Sequence, residues 1–173
     1  VGYLKSQIDA GAEVVMLFDS WAGQLSTEDY PEAAKKYVAQ ICSQLKKLSP
    51  QTPIIYFPGQ GADRLHLLGG LNIDVVSVDW RTDLAVAKER IALSFPQKGS
   101  DIVLQGNLDP IVLASKDEKF VRSRVENVCE KIADLGLKRH IFNVGHGVTP
   151  HTNPDAITWA IDELQRCEKS FIS

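Results

Sequence analysis

The sequence predicts an α/β fold built on a parallel sheet, and three observations carry that prediction. Short apolar runs alternate with helix-spaced segments along the whole chain. The runs hold few polar residues, as strands buried on both faces do. Each run ends in a polar turn, and three of those turns contain Gly.

The elements follow in order. A helix is expected from about Tyr3 to Ala10. Val14-Val15-Met16-Leu17-Phe18 is the first strand, continuous and apolar, and so expected to be buried on both faces. Pro31 to Leu48 has helical spacing, with Ala34, Tyr37, Val38, Ile41 and Leu45 on one stripe. Ser26-Thr27-Glu28-Asp29 can cap its start. Pro53 to Phe57 is a strand and Ala62 to Leu68 a short helix. Asp74 to Val78 is the third strand, with a helix over Leu84 to Leu93. Ile102 to Gln105 is the fourth, with a long helix over Asp117 to Leu135. His140 to Val144 is the fifth, and Asn153 to Cys167 the last helix. Asn153-Pro154 reads as an N-cap with Pro in the first turn.

Two architectures fit five β-α units. One is a five-stranded doubly wound sheet. The other is the back part of a (β/α)8 barrel, which usually needs about 250 residues. Both place function on the loops after the strands. No linker or repeat divides residues 1–173, so one domain is expected.

Composition narrows the function classes. The chain has 173 residues, 44% hydrophobic and 24% charged, with a net charge of −3. Nothing there suggests a nucleic-acid surface. No apolar run approaches the roughly 20 residues of a membrane span. The opening Val1-Gly2-Tyr3 is neither an initiator Met nor a signal peptide, so a missing beginning is expected. Cys42, Cys129 and Cys167 are odd in number, far apart and without a CxxC pair. Small buried thiols in a reduced, cytoplasmic protein are expected.

The five strand ends supply Asp19-Ser20-Trp21, Gly59-Gln60-Gly61, Asp79-Trp80-Arg81, Gly106-Asn107-Leu108-Asp109 and Gly145-His146-Gly147. Such a ring of polar groups with aromatic edges is what a polar ligand pocket needs. Each piece has two readings. Gly59-Gln60-Gly61 either cradles a phosphate or shapes a turn; it lacks the third Gly of a dinucleotide fingerprint and a P-loop Lys. Asp79 and Asp109 are acid/base groups or backbone caps. Trp21 and Trp80 pack or stack. His146 stands between two Gly residues, which free its backbone to aim the imidazole. His66, His140 and His151 show no ligand spacing, so no metal is expected. Ser20 has no nucleophile elbow and no local base.

Four segments together are highly specific: "FDSWAG", "VDWRTD", "LQGNLDP" and "FNVGHGVTPHTNP". In order, spacing and strand context they resemble uroporphyrinogen decarboxylases, over almost the whole chain. The resemblance implies a (β/α)8 barrel acting as a homodimer, of which this chain matches the last five β-α units. It implies removal of CO2 from the four acetate side chains of uroporphyrinogen III, giving coproporphyrinogen III, with no cofactor. It also implies substrate contacts for three residues. Phe18 would lie under the macrocycle, and Ser20 and His146 would meet substrate carboxylates. Asp19, Asp79 and Asn107 would support the cleft. The family's arginine-rich segment and its pyrrole-facing Asp have no match here. Arg81 cannot replace that set. The catalytic groups are therefore expected outside this chain, and the chain alone is expected to be inactive. A zinc- and cobalamin-linked methyltransferase shares the fold, and a five-stranded binding module is the rival of another class. A plastid location fits if the source is a photosynthetic eukaryote.

Overall fold

The computed structural model describes residues 1–97 and 101–172. Five helices and five strands alternate in it. They are α1 (Gly2–Asp9), β1 (Val15–Asp19), α2 (Lys36–Leu48), β2 (Ile54–Pro58), β3 (Val75–Ser77), α3 (Leu84–Ser94), β4 (Val103–Gln105), α4 (Glu118–Asp134), β5 (His140–Ile141) and α5 (Pro154–Ile172). The sheet order is β1-β2-β3-β4-β5 and every pairing is parallel. Strand order therefore follows the chain, as right-handed crossovers between neighbours produce. It has none of the reversal that defines a doubly wound sheet.

The two predicted caps, at Ser26 and Asn153, open their helices, and Asp117 adds one that was not predicted. Ser26 Oγ donates to Asp29 Oδ2 (2.7 Å) and accepts from the Asp29 N–H (3.0 Å), a reciprocal box. The helix it opens begins with a wider turn over Pro31–Lys35 before α2. Asp117 accepts from the N–H groups of Lys119 and Phe120 at the start of α4. Asn153 accepts from the Asp155 N–H and so opens α5. The short helix after β2 is a 3₁₀ segment, Ala62–Leu67.

Side chains alternate across the strands, and the two faces differ. Val15, Ile54, Tyr56, Val76, Val78, Ile102 and Leu104 point to the helix side, into a core with Val38, Cys42, Leu45, Ala87 and Ile91. A second core joins α4 and α5 around Val121, Val125, Ala156 and Ala160. Glu163 fastens this pair of helices. It is buried and takes Arg166 (2.6 Å) and Arg122 (3.5 Å). On the other face Gln105 Nε2 donates to Ser77 Oγ (3.1 Å) and approaches Met16 Sδ.

Two expectations about strands are corrected. In β1 only Val15 is fully buried; Met16 and Leu17 are half-buried and Phe18 is 70% exposed. The helix face of β1 is covered, but no second layer among the described residues covers Met16 and Phe18. β5 is two residues long, not five. Past Gln105 the β4 chain still bonds to it, through Gly106 N to Ile141 O (2.9 Å) and Leu108 N to Asn143 O (3.0 Å). The pairing there is irregular, and only a Leu108–Val144 bridge marks its continuation.

All three cysteines are buried and outside any disulfide, one each in α2, α4 and α5. Burial pushes the Cys42 thiol up to about 11 and the Cys129 thiol up to about 12. The structure pairs Cys129 with Cys167 in a thiol hydrogen bond across α4 and α5. No helix among the described residues is long and apolar enough to cross a membrane.

His140 gives the fold a pH dependence. Its Nε2 is buried with no partner among the described residues, and burial holds its pKa down to about 4. The unfolded chain binds that proton first, near pH 6.5. Stability is therefore intact above about pH 6.5, declines as pH falls toward 4, and levels off below. The shift corresponds to a loss on the order of 3 kcal/mol. His140→Leu should flatten that part of a urea-unfolding series; an unchanged slope would assign the acid sensitivity elsewhere.

Candidate active-site cleft

Parallel strands put all five strand ends at one end of the sheet, and the polar turns meet there. The open face holds a cleft of about 360 Å³, lined among others by Met16, Phe18, Ser20, Phe57, Ser77 and His146. Its floor is aromatic. Phe18 meets Phe57 edge-on with ring centres 6.3 Å apart, and Phe57 meets His146 at 6.0 Å. His146 in turn meets Trp80 at 5.7 Å, nearly perpendicular. These edge-to-face contacts form an aromatic row with a polar group at each side. The polar groups are the half-buried Ser20 and the exposed His146.

Neither has a protein hydrogen-bond partner among the described residues. Ser20 has no base beside it to make it a nucleophile. His146 has no carboxylate holding its second nitrogen, as a triad base would. Both are left as groups that can reach a ligand.

The acidic residues face away from chemistry. Asp19 accepts from the Tyr56 hydroxyl (2.9 Å), which leaves Tyr30 to donate to Tyr56 (2.9 Å). Both tyrosines are fully buried, and burial pushes Tyr30 up to about 12 and Tyr56 still further. Asp19 is thus tied to the helix side while Phe18 and Ser20 face the cleft. Asp79 is buried and accepts from the Arg81 N–H (2.8 Å). Asn107 donates to the carbonyls of Asp79 (3.0 Å) and Thr82 (2.6 Å), stitching the β3 loop to the β4 loop. Asp109 caps the 3₁₀ segment Pro110–Ala114 through the Ile111 N–H. Of the two readings open for Asp79 and Asp109, the geometry is that of caps.

The glycines serve close approach. A Cβ on Gly59 would lie 2.7 Å from the Ser20 carbonyl and 2.8 Å from its Cα. The Gly59 N–H donates to the Asp19 carbonyl (3.0 Å), so it is not free for a phosphate. This is the turn reading of Gly59-Gln60-Gly61, and it holds the Ser20 turn in place. Gly145 packs against the backbone of Trp80, with its missing Cβ 2.8 Å from Trp80 Cα. Neither Gly145 nor Gly147 has a positive φ. The first glycine beside His146 is needed for contact, not for backbone freedom. Trp21 is 75% exposed and lies outside both cores, because Ala22 takes the buried place in that turn.

Phe57, Ser77 and Asn143 belong to the cleft but were not singled out from the sequence. The signal for Phe57 is its register, directly opposite Phe18. The buried Tyr30–Tyr56 pair joins residues 26 apart, and no local pattern announces it.

The family model for uroporphyrinogen decarboxylase matches residues 1–167. The chain belongs to the uroporphyrinogen decarboxylase family. Uroporphyrinogen decarboxylase of Synechococcus sp. (strain JA-3-3Ab) is 44% identical over 154 residues, which cover 89% of this chain and 39% of that protein. That of Crocosphaera subtropica is 41% identical over 155 residues, 90% of this chain and 41% of the relative. That of Synechocystis sp. (strain PCC 6803) is 37% identical over 167 residues, 96% and 45%. The chain thus spans less than half the length of these family members. Two of the four segments whose combination is specific supply cleft residues: Phe18 and Ser20 from one, and Asn143 to Gly147 from another.

Proposed function

We propose that this chain is the C-terminal portion, about the last five β-α units, of a (β/α)8 uroporphyrinogen decarboxylase. The reaction is loss of CO2 from the four acetate groups of uroporphyrinogen III to give coproporphyrinogen III. The observation that carries this reading is the aromatic floor Phe18–Phe57–His146 with Ser20 beside it, in a chain whose relatives bear that name.

The chemistry explains the residue types. Losing CO2 from a pyrrole acetate leaves an electron pair that needs a sink. Protonating a pyrrole carbon supplies that sink and makes the ring cationic. Phe18 and Phe57 offer the macrocycle an apolar face. The Ser20 hydroxyl donates to one peripheral carboxylate and His146 meets another at the cleft mouth. Asp19 holds the Ser20 turn through Tyr56, while Asp79 and Asn107 hold the turn that carries Trp80. No step needs a metal or an organic cofactor. A homodimer, acting in the cytoplasm or a plastid, belongs to the same reading, with buried thiols outside any disulfide consistent with a reducing compartment.

The test uses the full-length protein and enzymatically prepared uroporphyrinogen without oxygen. Coproporphyrinogen should appear. His146→Ala should raise KM about tenfold, as loss of one charge-assisted contact does, and leave measurable turnover. Complete loss of turnover with the fold intact would make His146 the proton donor instead.

A further inference from the structure

Arg81 has no part in the roles above. Its side chain is exposed, and its guanidinium carbon lies 3.8 Å from the centre of the Trp80 ring. The same indole meets His146 at 5.7 Å. One aromatic ring therefore carries a permanent cation and touches the imidazole at the cleft mouth. The two contacts place the guanidinium within about 10 Å of His146.

This cation is unpaired. Arg90, Arg122, Arg139 and Arg166 each meet a carboxylate. Among the described residues none lies within ion-pair distance of Arg81. The two nearest in sequence are engaged: Asp79 binds the Arg81 backbone N–H, and Asp83 binds Ala85 N–H and Lys131. Stacking on an indole leaves the N–H edges of a guanidinium free, in the fork that matches a carboxylate.

Its mounting is rigid. Asn107 of the β4 loop grips the turn through the carbonyls of Asp79 and Thr82. Gly145 of the β5 loop packs on the Trp80 backbone. A cation held this way loses little freedom when it binds.

Trp80 and Arg81 line a pocket next to the cleft, with Asp83, Asn107 and Asp109, and not the cleft itself. We propose that Arg81 binds a peripheral carboxylate of the tetrapyrrole substrate that extends past the cleft mouth, with Trp80 as its platform next to His146. This rests on the decarboxylase reading and adds to it a specificity residue for a polycarboxylate. The bland alternative is that Arg81 only shields the indole from water.

The experiment compares Arg81→Gln and Arg81→Lys with the unaltered full-length protein. Initial rates are measured with uroporphyrinogen at several salt concentrations, and uroporphyrin binding by fluorescence quenching. Arg81→Gln should raise KM and weaken uroporphyrin binding about fivefold to tenfold, with kcat within about twofold. Its KM should depend less on salt. Arg81→Lys should recover only part of the loss, because an ammonium lacks the planar fork. An unchanged KM, or a fallen kcat with a lowered unfolding midpoint, would overturn the proposal and leave Arg81 a structural cover. If the unaltered protein turns over normally while the variant is unchanged, only Arg81 falls. If the unaltered protein neither binds nor converts the substrate, the decarboxylase reading falls and takes this inference with it.

Discussion

Purified by itself, the 173-residue chain should form no coproporphyrinogen above the uncatalysed background. The cleft explains why. Its floor is open: Phe18 is 70% exposed, and His146 is exposed as well. Water reaches both of these groups. Decarboxylation through a protonated pyrrole needs the opposite, a closed site whose fixed charges face the developing cation. Among the described residues that line the cleft none is acidic. Asp19 and Asp79, the nearest strand-end carboxylates, are committed to Tyr56 and to the Arg81 N–H. On the proposed reading, the counter-charge for the ring is expected from the part of the family's length that this chain does not span. The strands at either end of the sheet, β1 and β5, also leave unpaired edges, which favour association. The decisive comparison is the chain alone against the chain supplied with the remaining portion of a relative such as the Synechocystis protein. Activity only in the second supports the reading. Product from the chain alone would show that Ser20 and His146 do more than hold carboxylates.

The sequence was legible where physics is local. Apolar runs and helical stripes located the five strands and the five α-helices, because burial sets their periods, but not the open face of β1, the shortness of β5 or the 3₁₀ segment Pro110–Ala114. Ser26 and Asn153 announced helix starts, because a cap needs only its own next few residues. Chain order also bounded the site, since parallel strands must deliver their ends together. What stayed hidden depends on distant partners. Phe57 read as one more strand residue, and only its register opposite Phe18 makes it a cleft wall. Tyr30, Tyr56 and Asp19 form one relay from three segments. Cys129 and Cys167 looked like isolated thiols until α4 lay against α5. The reason for Gly145 was hidden in the same way, because its constraint is the backbone of Trp80.

That last contact gives the sharpest substitution. Gly145→Ala and Gly147→Ala make the same chemical change on either side of His146, and opposite outcomes are expected. A Cβ on Gly147 meets nothing within 4 Å. Neither residue has a positive φ, so backbone strain does not separate them. A Cβ on Gly145 would overlap the Trp80 amide nitrogen and lie 2.8 Å from Trp80 Cα and 2.9 Å from the Asp79 carbonyl carbon. Those are backbone atoms, and they cannot swing aside as a side chain can. Asn107 pins them from the other side through the Asp79 and Thr82 carbonyls. The β5 loop must therefore move away from the β3 loop, carrying His146 off Trp80 and Phe57. Overpacking against backbone should cost about 3 kcal/mol, the upper part of the usual range. Moving His146 off the cleft removes the same carboxylate contact that His146→Ala removes. In the full-length protein Gly145→Ala should lower the unfolding midpoint and raise KM about tenfold. Gly147→Ala should keep its unfolding free energy within about 0.5 kcal/mol of the unaltered protein and its midpoint nearly unchanged. Equal midpoints for the two variants would mean that the β3 and β5 loops are not locked together, and the cleft would lose its fixed wall.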